Sequence, residues 1–361
     1  MGLFREKPLE ADFIIAVNKS NTVKKLDNQQ IGAVFNQDIT NWKELGGDSL
    51  PIEILSLYTI ENYYSEEDLG EDFSLLPQKI NEFLEQTPGA IVCFTKAFMP
   101  EKIHGDEIHI DNIELLQFLK GKSWLPTSQP VAQLGILPLI LGTLWVSLGA
   151  ILIALPLGVA SAIYMAEVAK PKLRNLLKPV IELLSGIPSV VYGFFGLIII
   201  VPFIQQLFNV PVGETALAGS IVLAIMALPT IITISEDAIR TTPLALREAS
   251  LALGATRWQT VLRVVIPYSK SGISAGIILG IGRAIGETMA VLMVTGNAGT
   301  MPTSFLQPVR TIPATIAAEL GEVPMGGVHY KALFMLGIIL FLINMIINIS
   351  VEYIKKGRVG R

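Results

Sequence analysis

Five long apolar runs dominate the chain from residue 134 onward, and they constrain its fold more than any other feature. A helix needs roughly 20 mostly apolar residues to cross a bilayer. Five segments meet this requirement: 134–164, 186–208, 216–234, 273–295 and 332–351. The first is longer than a bilayer requires and contains Pro138 and Pro156, so it is expected to tilt, kink or project beyond the membrane. The sequence therefore predicts an all-α polytopic membrane protein.

The charges divide the chain at nearly the same place. Before Leu134 there are 11 Lys and Arg against 21 Asp and Glu, a net charge of −10, whereas the remainder carries 16 against 10, a net charge of +6. Short apolar runs at 13–17 and 90–94 suit buried strands, and residues 28–35 and 77–85 suit helices. We therefore predict a small acidic α/β soluble domain over residues 1–125 and a transmembrane domain over residues 126–361.

Basic residues mark three of the regions outside the spans. Lys and Arg cluster at 170–178, at 240–270 and from 355 to the end, whereas the loops around 211–215 and 297–331 carry few positive charges. Cytoplasmic loops are enriched in Lys and Arg, so the three basic regions should face the cytoplasm. The two sets of loops alternate without conflict, which predicts a cytoplasmic C-terminus and an external acidic domain.

This orientation raises a problem at the N-terminus, because residues 1–12 contain no apolar segment that could export the acidic domain. The simplest expectation is that a first transmembrane helix is missing upstream of Met1. The alternative is that the acidic domain stays cytoplasmic and that the first predicted span is misread.

Several classes of function find no support in the sequence. The single cysteine, Cys93, excludes an internal disulfide, and three scattered histidines do not suggest a metal site. There is no G-x-x-x-x-G-K-[ST] loop for ATP and no nucleophile–base set. We therefore expect no enzyme activity, no catalytic residue, no cofactor or metal, and no nucleic-acid partner.

A cytoplasmic loop gives the most specific signal. Residues 247–256 read REASLALGAT, and the pattern continues to Ile266 and Pro267. Two short amphipathic helices around Gly254 are predicted, and Pro267 is expected to end the second before the next span. Such a helix–turn–helix suits a groove on a partner protein. The alternative is a basic connecting loop that lies on anionic lipid headgroups.

This loop resembles the EAA loop of ABC importer permeases, with Ser250 in place of the second alanine of the triplet. The resemblance implies the type I ABC importer permease fold, in which this loop docks as a coupling helix on a separate ATPase subunit. The coupling residues that it implies are Glu248, Ala249, Gly254, Ala255, Thr256 and Pro267.

The fourth predicted span contains two charged residues, Arg283 and Glu287, which are four residues apart and so should share a helix face. A charge at the bilayer centre costs at least about 2.5–3.5 kcal/mol, so both should face other helices or a water-filled path. Arg283 could help an anion to cross while Glu287 holds or releases it. The alternative is a permanent salt bridge between packed helices.

The same span contains glycines at a regular spacing. Gly272, Gly276 and Gly280 recur every four residues, as do Gly282 and Gly286. Small residues at this spacing let another helix approach closely. We therefore predict that this face of the span is a helix-packing surface.

Separate motifs then point to a narrower family. Residues 186–193, GIPSVVYG, and 282–290, GRAIGETMA, resemble segments of phosphate permeases, and residues 308–319 and 329–333 resemble the external loop and last helix of their PstC-type subunit. The resemblance covers roughly residues 118–361. It implies a substrate path that includes Arg283, Glu287, Ser189, Tyr192 and Arg310. The alternatives are ordinary helix packing for Ser189 and Tyr192 and capping of an external loop for Arg310.

The resemblance also implies an assembly in a bacterial or archaeal cytoplasmic membrane. The expected partners are a PstA-type permease subunit in a heterodimer, an ABC ATPase dimer of the PstB type, a phosphate-binding protein of the PstS type, and membrane lipid. Family members have six spans, so five found spans agree with a missing first helix. Two rival functions stay open: an importer for another oxyanion such as sulfate or molybdate, and a membrane sensor that reports phosphate without transporting it.

The acidic domain resembles one lobe of a phosphate-binding protein, in residues 39–47, ITNWKELGG, and 87–91, TPGAI. The serine-glycine-threonine loop that holds phosphate in those proteins should lie between these stretches. Residues 57–62, LYTIEN, contain no glycine, and the acidic residues 66–68 would repel phosphate. We therefore predict part of the binding-protein fold without a phosphate site, in a domain that docks the true binding protein or acts as a sensor.

Overall fold

The computed structural model describes residues 13–110, 115–128 and 130–356, and these divide into two units. One unit comprises the described residues up to Ile136 together with Gly326–Lys331. The other comprises Leu137–Met325 and the described residues from Ala332 onward. The first unit thus extends beyond the predicted boundary at residue 125, because a short antiparallel strand pair, Trp124–Leu125 with Gln133–Leu134, belongs to it.

The first unit is built around a mixed sheet. The strands of this unit are β1 (Phe13–Val17), β2 (Lys25–Leu26), β3 (Glu53–Ser56), β4 (Ala90–Thr95), β5 (Asp106–Glu107), β6 (His109–Ile110), β7 (Trp124–Leu125) and β8 (Gln133–Leu134). Four of them form a sheet in the order β3-β4-β1-β5. In this sheet β4 is parallel to β3 and antiparallel to β1, and β1 is antiparallel to β5.

Two helices cover the two faces of this sheet. The helices of the unit are α1 (Asn28–Phe35), α2 (Glu66–Leu69), α3 (Leu76–Gln86) and α4 (Leu115–Lys120). Because successive strand residues point to opposite faces, Ile15 packs with Ile31 of α1 on one face, whereas Ala16 packs with Ile80 of α3 on the other. The predicted α/β domain is confirmed, including its two predicted strands and two predicted helices.

The ITNWKELGG segment forms a turn that is anchored by Trp42. The indole is buried, and its Nε1 donates a hydrogen bond of 3.0 Å to the carbonyl oxygen of Gly89. The side chain of Asn41 caps a short 3₁₀ helix at Trp42–Leu45, and Gly46 ends it at a φ of +83°, a conformation that glycine adopts without strain. The turn therefore ties the end of α1 to the start of β4.

The second unit is helical. Its helices are α5 (Leu137–Ile163), α6 (Pro171–Ser185), α7 (Ser189–Phe195), α8 (Val201–Phe208), α9 (Ala216–Arg240), α10 (Leu244–Ala252), α11 (Arg257–Thr260), α12 (Ile266–Ile285), α13 (Met289–Val294), α14 (Ile312–Glu319) and α15 (Val328–Lys356). Among the described residues, five helical stretches are long and apolar enough to cross a membrane: Leu137–Val168, Ser189–Phe208, Ala216–Arg240, Arg257–Ile285 and Val328–Ile347. The predicted number of spans is confirmed.

The helix α9 lies at the centre of this unit. It has the largest share of buried residues among the five spans, and it packs along both α5 and α12. A Cβ atom added at Gly272 would lie 2.3 Å from the Cβ of Ala238, and one added at Gly280 would lie 2.6 Å from Cγ1 of Ile231. Gly276 also faces α9. These three glycines therefore form the predicted packing surface.

The second pair of glycines in this segment has a different role. A Cβ at Gly282 would meet nothing within 4 Å, and one at Gly286 would meet only the carbonyl oxygen of Gly282, at 3.5 Å. Gly286 is instead the C-cap of α12. Within the described part of the chain, no other helix approaches these two positions.

Three π-helical turns interrupt the spans, at Tyr164–Val168, Gly196–Ile200 and Val261–Val265. The last two each end two residues before a proline, Pro202 and Pro267. Proline lacks an N–H and its ring crowds the carbonyl one turn earlier, and a wider turn relieves that crowding. The prediction that Pro267 ends the second loop helix is therefore wrong, because the helix runs unbroken from Arg257 to Ile285.

The fourth span also ends earlier than predicted. The sequence predicted a helix through residue 295, but α12 ends at Ile285, and a separate short helix, α13, begins at Met289. Gly286 and the non-helical Thr288 (φ −114°, ψ −65°) form the break. Glu287 lies in this break, so the prediction that it shares a helix face with Arg283 is wrong.

A valine at Gly280 should destabilise the unit, because its side chain would overlap Ile231. We expect a loss of about 1–3 kcal/mol, the usual cost of overpacking a close contact. Gly282→Val in the same helix is the matched control, since the space there is open. Thermal unfolding in detergent measures both variants, and equal melting temperatures would contradict the packing of α12 on α9.

Candidate translocation and coupling sites

Arg283 lies in the last turn of α12, and among the described residues no carboxylate forms an ion pair with it. Its Nη1 donates a long hydrogen bond of 3.5 Å to Oγ1 of Thr230 in α9. Within the described part of the chain, Arg283 thus takes no part in the alternative, a permanent salt bridge between packed helices. The guanidinium keeps donors that are available to a ligand.

Glu287 lies just before the short helix α13. Its Oε1 accepts a hydrogen bond of 3.4 Å from the backbone N–H of Ala290, in the first turn of that helix. On the same helix, Ala290 faces α7: a Cβ added at Gly193 would lie 2.9 Å from the Cα of Ala290. The structure thus brings together the two motifs GIPSVVYG and GRAIGETMA, which are about 90 residues apart in sequence.

Tyr192 is buried in α7, and its hydroxyl donates a hydrogen bond of 2.7 Å to the carbonyl oxygen of Leu184 in α6. The same hydroxyl is within electrostatic range of Arg283. Ser189, the first residue of α7, is partly exposed. Tyr192 is therefore both a packing residue and a neighbour of Arg283, whereas the role of Ser189 stays a prediction.

Arg310 is held in the loop between α13 and α14. Its Nη1 lies 2.6 Å from Oε1 of Glu319, and its Nε donates a hydrogen bond of 3.0 Å to the carbonyl oxygen of Asn297. Both charged side chains are mostly buried, at 22% and 15% exposed. This geometry matches the loop-capping alternative, and the role of Arg310 in the substrate path stays a prediction.

The coupling loop has the predicted helix–turn–helix form. The helix α10 ends before Gly254, whose φ of +87° reverses the chain. Ala255 N–H then donates to the carbonyl oxygen of Ser250 at 3.2 Å. Thr256 caps α11 in a capping box, in which its hydroxyl accepts from Gln259 N–H and the Gln259 side chain accepts from Thr256 N–H.

The surface of this loop is apolar and open. The helix α10 has no buried residue, and Glu248 and Ala249 are exposed. Large apolar side chains are exposed along the loop: Leu244, Leu246, Leu251, Leu253, Trp258 and Leu262. An exposed apolar patch of this kind is typical of a docking surface.

Ser250, the departure from the EAA pattern, has a structural role. Its hydroxyl lies 3.0 Å from the hydroxyl of Thr260, which is buried in α11. The hydrogen bond between them joins the two helices of the loop. The substitution of serine for alanine therefore adds a contact inside the coupling loop.

The sequence did not reveal a charge cluster around Glu236. This carboxylate is 1% exposed at the end of α9, and it pairs with Arg174 and Lys178 of α6, at 2.9 Å each. A second carboxylate, Asp237, lies 2.8 Å from Lys178. Hydrogen bonds to Asp237 and Glu236 raise the pKa of Lys178 above its usual value. In the sequence, the feature that could have indicated this cluster is the position of Glu236, two residues beyond the end of the predicted third span.

Removing Arg310 should lower stability and leave substrate affinity unchanged if its role is to hold the loop. We expect Arg310→Gln to cost about 1.5–3 kcal/mol, the usual value for a charge-assisted hydrogen bond. Glu322→Gln, an exposed position in the following turn, should cost nothing measurable. Thermal unfolding and the KM for uptake check this together. A raised KM with an unchanged melting temperature would assign Arg310 to the substrate path.

Comparison with known proteins identifies the family of the membrane part of the chain. Residues 154–359 match the family of binding-protein-dependent transport system inner membrane components. A probable ABC transporter permease protein, YqgH, of Bacillus subtilis is 42% identical over 69% of this chain and 80% of its own length. The phosphate transport system permease proteins PstC of Mesorhizobium japonicum and PstC 1 of Mycobacterium tuberculosis are 40% and 38% identical, over 65% and 68% of this chain and 77% and 82% of their own lengths.

One solved structure has a similar fold in the membrane part. An inward-facing MetNI methionine ABC transporter chain is 16% identical and has a TM-score of 0.50, covering 62% of this chain and 95% of that chain. The likeness of the first unit to phosphate-binding proteins stays a prediction. The family match, the close relatives and the five spans together identify the chain as a member of the binding-protein-dependent transport system inner membrane components, with a PstC-type permease domain.

Proposed function

We propose that this chain is the phosphate-translocating membrane subunit of an ATP-driven ABC importer. It would act with a PstA-type permease subunit, a PstB-type ATPase dimer and a PstS-type phosphate-binding protein. Several relatives that match two thirds of this chain or nearly so are named phosphate transport permeases. The proposed cargo is inorganic phosphate, and the chain itself needs no cofactor.

The observation that carries this proposal is the guanidinium of Arg283, which forms no ion pair with any carboxylate of the described residues. An uncompensated charge in a membrane span is costly and is kept where it has a function. Arginine donors match the geometry of a phosphate oxyanion. The hydroxyl of Thr230 lies beside this guanidinium, and Tyr192 lies nearby. The guanidinium and the Thr230 hydroxyl would offer polar contacts to an oxyanion as it crosses.

The coupling loop would transmit the conformational change of the ATPase subunits to this chain. The exposed leucines of α10 and the segment from Glu248 to Thr256 would fit a groove on the ATPase subunit. ATP binding would close the ATPases and draw the loops of the two permease subunits together. The substrate path would then alternate between two packed states with opposite access.

The proposed orientation follows from the basic segments. The coupling loop and α6 would lie on the cytoplasmic side of the cytoplasmic membrane, with the C-terminus. The acidic first unit and the loop between α13 and α14 would lie outside, where a binding protein delivers phosphate. The first unit would then be placed to dock that protein.

Phosphate uptake tests the proposal directly. In cells that lack their own phosphate permease but express this chain with its three partners, we expect uptake of labelled phosphate that resists excess sulfate and molybdate. Arg283→Ala should reduce it by about tenfold or more, the effect of losing one charge-assisted hydrogen bond. Arg283→Lys should retain part of the uptake, because it keeps the charge and loses the paired donors.

Lys270→Ala is the matched control, since it removes an exposed charge from the other end of the same helix and should leave uptake unchanged. Inhibition by sulfate or molybdate would favour a different oxyanion as cargo. An assembled wild-type complex that alters phosphate signalling without uptake would favour the sensor.

Single-cysteine labelling should check the orientation. Cys93 is buried, and burial raises the pKa of its thiol to about 12, so the native cysteine should not react with a maleimide. Cysteines at Tyr58 and Met325, where the native side chains are 82% and 88% exposed, should react with an impermeant maleimide in intact cells. A cysteine at Leu253, 89% exposed in the coupling loop, should react only after permeabilisation. The reverse pattern would overturn the orientation.

A further inference from the structure

The side chain of Arg247 fastens the helix α10 to the ends of two membrane helices. Its Nη1 forms an ion pair with Oε1 of Glu167, and its Nη2 donates a hydrogen bond of 3.0 Å to the carbonyl oxygen of Ile239. Glu167 lies in the π-helical turn at the end of α5, and Ile239 lies in the last turn of α9. One guanidinium therefore joins three elements.

This ion pair is shielded from water. The side chains of Arg247 and Glu167 are 20% and 11% exposed, although α10 itself has no buried residue. Ion pairs on an open surface contribute little, whereas a shielded pair with correct geometry resists separation because each charge left alone would be poorly solvated. Arg247 is thus the inward-facing attachment of a helix that otherwise faces solvent.

Through Arg247 the coupling loop also contacts a helix that is not its neighbour in the sequence. Along the chain, α10 connects to α9 on one side and to α11 and α12 on the other. Among the described residues, the Arg247–Glu167 pair links it to the π-helical turn at the end of α5, the first of the five described spans. Arg247 contacts the turn at the end of α5 and the last turn of α9, and α5 packs along α9. A force on α10 that is transmitted through Arg247 would therefore move α5 and α9 together.

We propose that the Arg247–Glu167 pair is the joint through which the coupling loop moves α5 and α9 as one body during transport. Arg247 is a positioning residue in this account. Its guanidinium is already engaged inside the chain, whereas the neighbouring Glu248 is exposed and remains for the ATPase. The proposal rests on the proposed function, since the motion that the joint transmits is powered by ATP on a partner subunit.

A charge swap in the complete importer tests the joint. Arg247→Glu and Glu167→Arg should each lower the phosphate transported per ATP hydrolysed by about tenfold or more, while the complex still assembles and hydrolyses ATP. The double variant should restore much of this ratio. Arg247→Lys should be intermediate, because one ammonium group cannot hold both Glu167 and the Ile239 carbonyl.

The ratio of phosphate transported to ATP hydrolysed distinguishes a loss of coupling from a loss of folded protein. A merely structural role would lower uptake and ATP hydrolysis in proportion and leave this ratio unchanged. That result would overturn the proposal. So would single variants that no longer bind the ATPase and are not rescued by the swap, since Arg247 would then be a contact to the partner.

A second measurement needs no substrate. It can therefore contradict the role of the Arg247–Glu167 pair without depending on whether phosphate is the cargo. Spin labels at Ala245 of α10 and Leu152 of α5, both exposed, are placed in a Cys93→Ser complex. In the wild-type pair the distance should stay narrow and unchanged between the ATP-free and ATP-trapped states, and Arg247→Ala should broaden or shift it. An identical distribution in Arg247→Ala would overturn the joint, whereas a wild-type complex that hydrolyses ATP without taking up phosphate would overturn only the proposed cargo.

Discussion

The packing of α9 between α5 and α12 holds the rest of the membrane unit in place. Glycines on α12 let it approach α9 closely, and Gly158 of α5 does the same against Ile231. Arg283, α6 and α10 each contact α9 at a different position along its length. Thr230 contacts Arg283, Glu236 anchors α6, and the carbonyl of Ile239 holds the coupling loop. A shift of α9 would therefore alter the path and the loop together.

The arrangement of charges distinguishes three arginines paired with carboxylates from Arg283, the arginine proposed to contact the substrate. Arg174, Arg247 and Arg310 are each partly buried, and each is paired with a carboxylate. Arg283 is also partly buried, yet among the described residues it has only the long contact to a hydroxyl. A paired arginine is already neutralised, whereas Arg283 presents a positive charge inside the span. This contrast is the physical basis for assigning the path to Arg283.

Local patterns in the sequence predicted much of this fold. The short apolar runs of β1 and β4, the apolar lengths of the spans and the glycine that reverses the coupling loop each depend on neighbouring residues, and the structure confirms them. The continuity of the helix through Pro267 was not predictable, because the π-helical turn before it depends on how the span packs. The break at Gly286–Thr288 was missed because apolar residues continue on both sides of it, and a single glycine inside such a run does not by itself end a helix. The Glu236 and Arg247 pairs join residues 58 or more positions apart, and no local pattern reveals them.

The most direct test of the central claim is a structure of the assembled importer, trapped with a non-hydrolysed ATP analogue in the presence of phosphate. The account predicts an oxyanion within about 3 Å of the Arg283 guanidinium in at least one trapped state, with the Thr230 hydroxyl beside it. A guanidinium that is paired with a carboxylate of the second permease subunit in both the inward- and outward-facing states would contradict the account, because Arg283 would then be one more structural arginine.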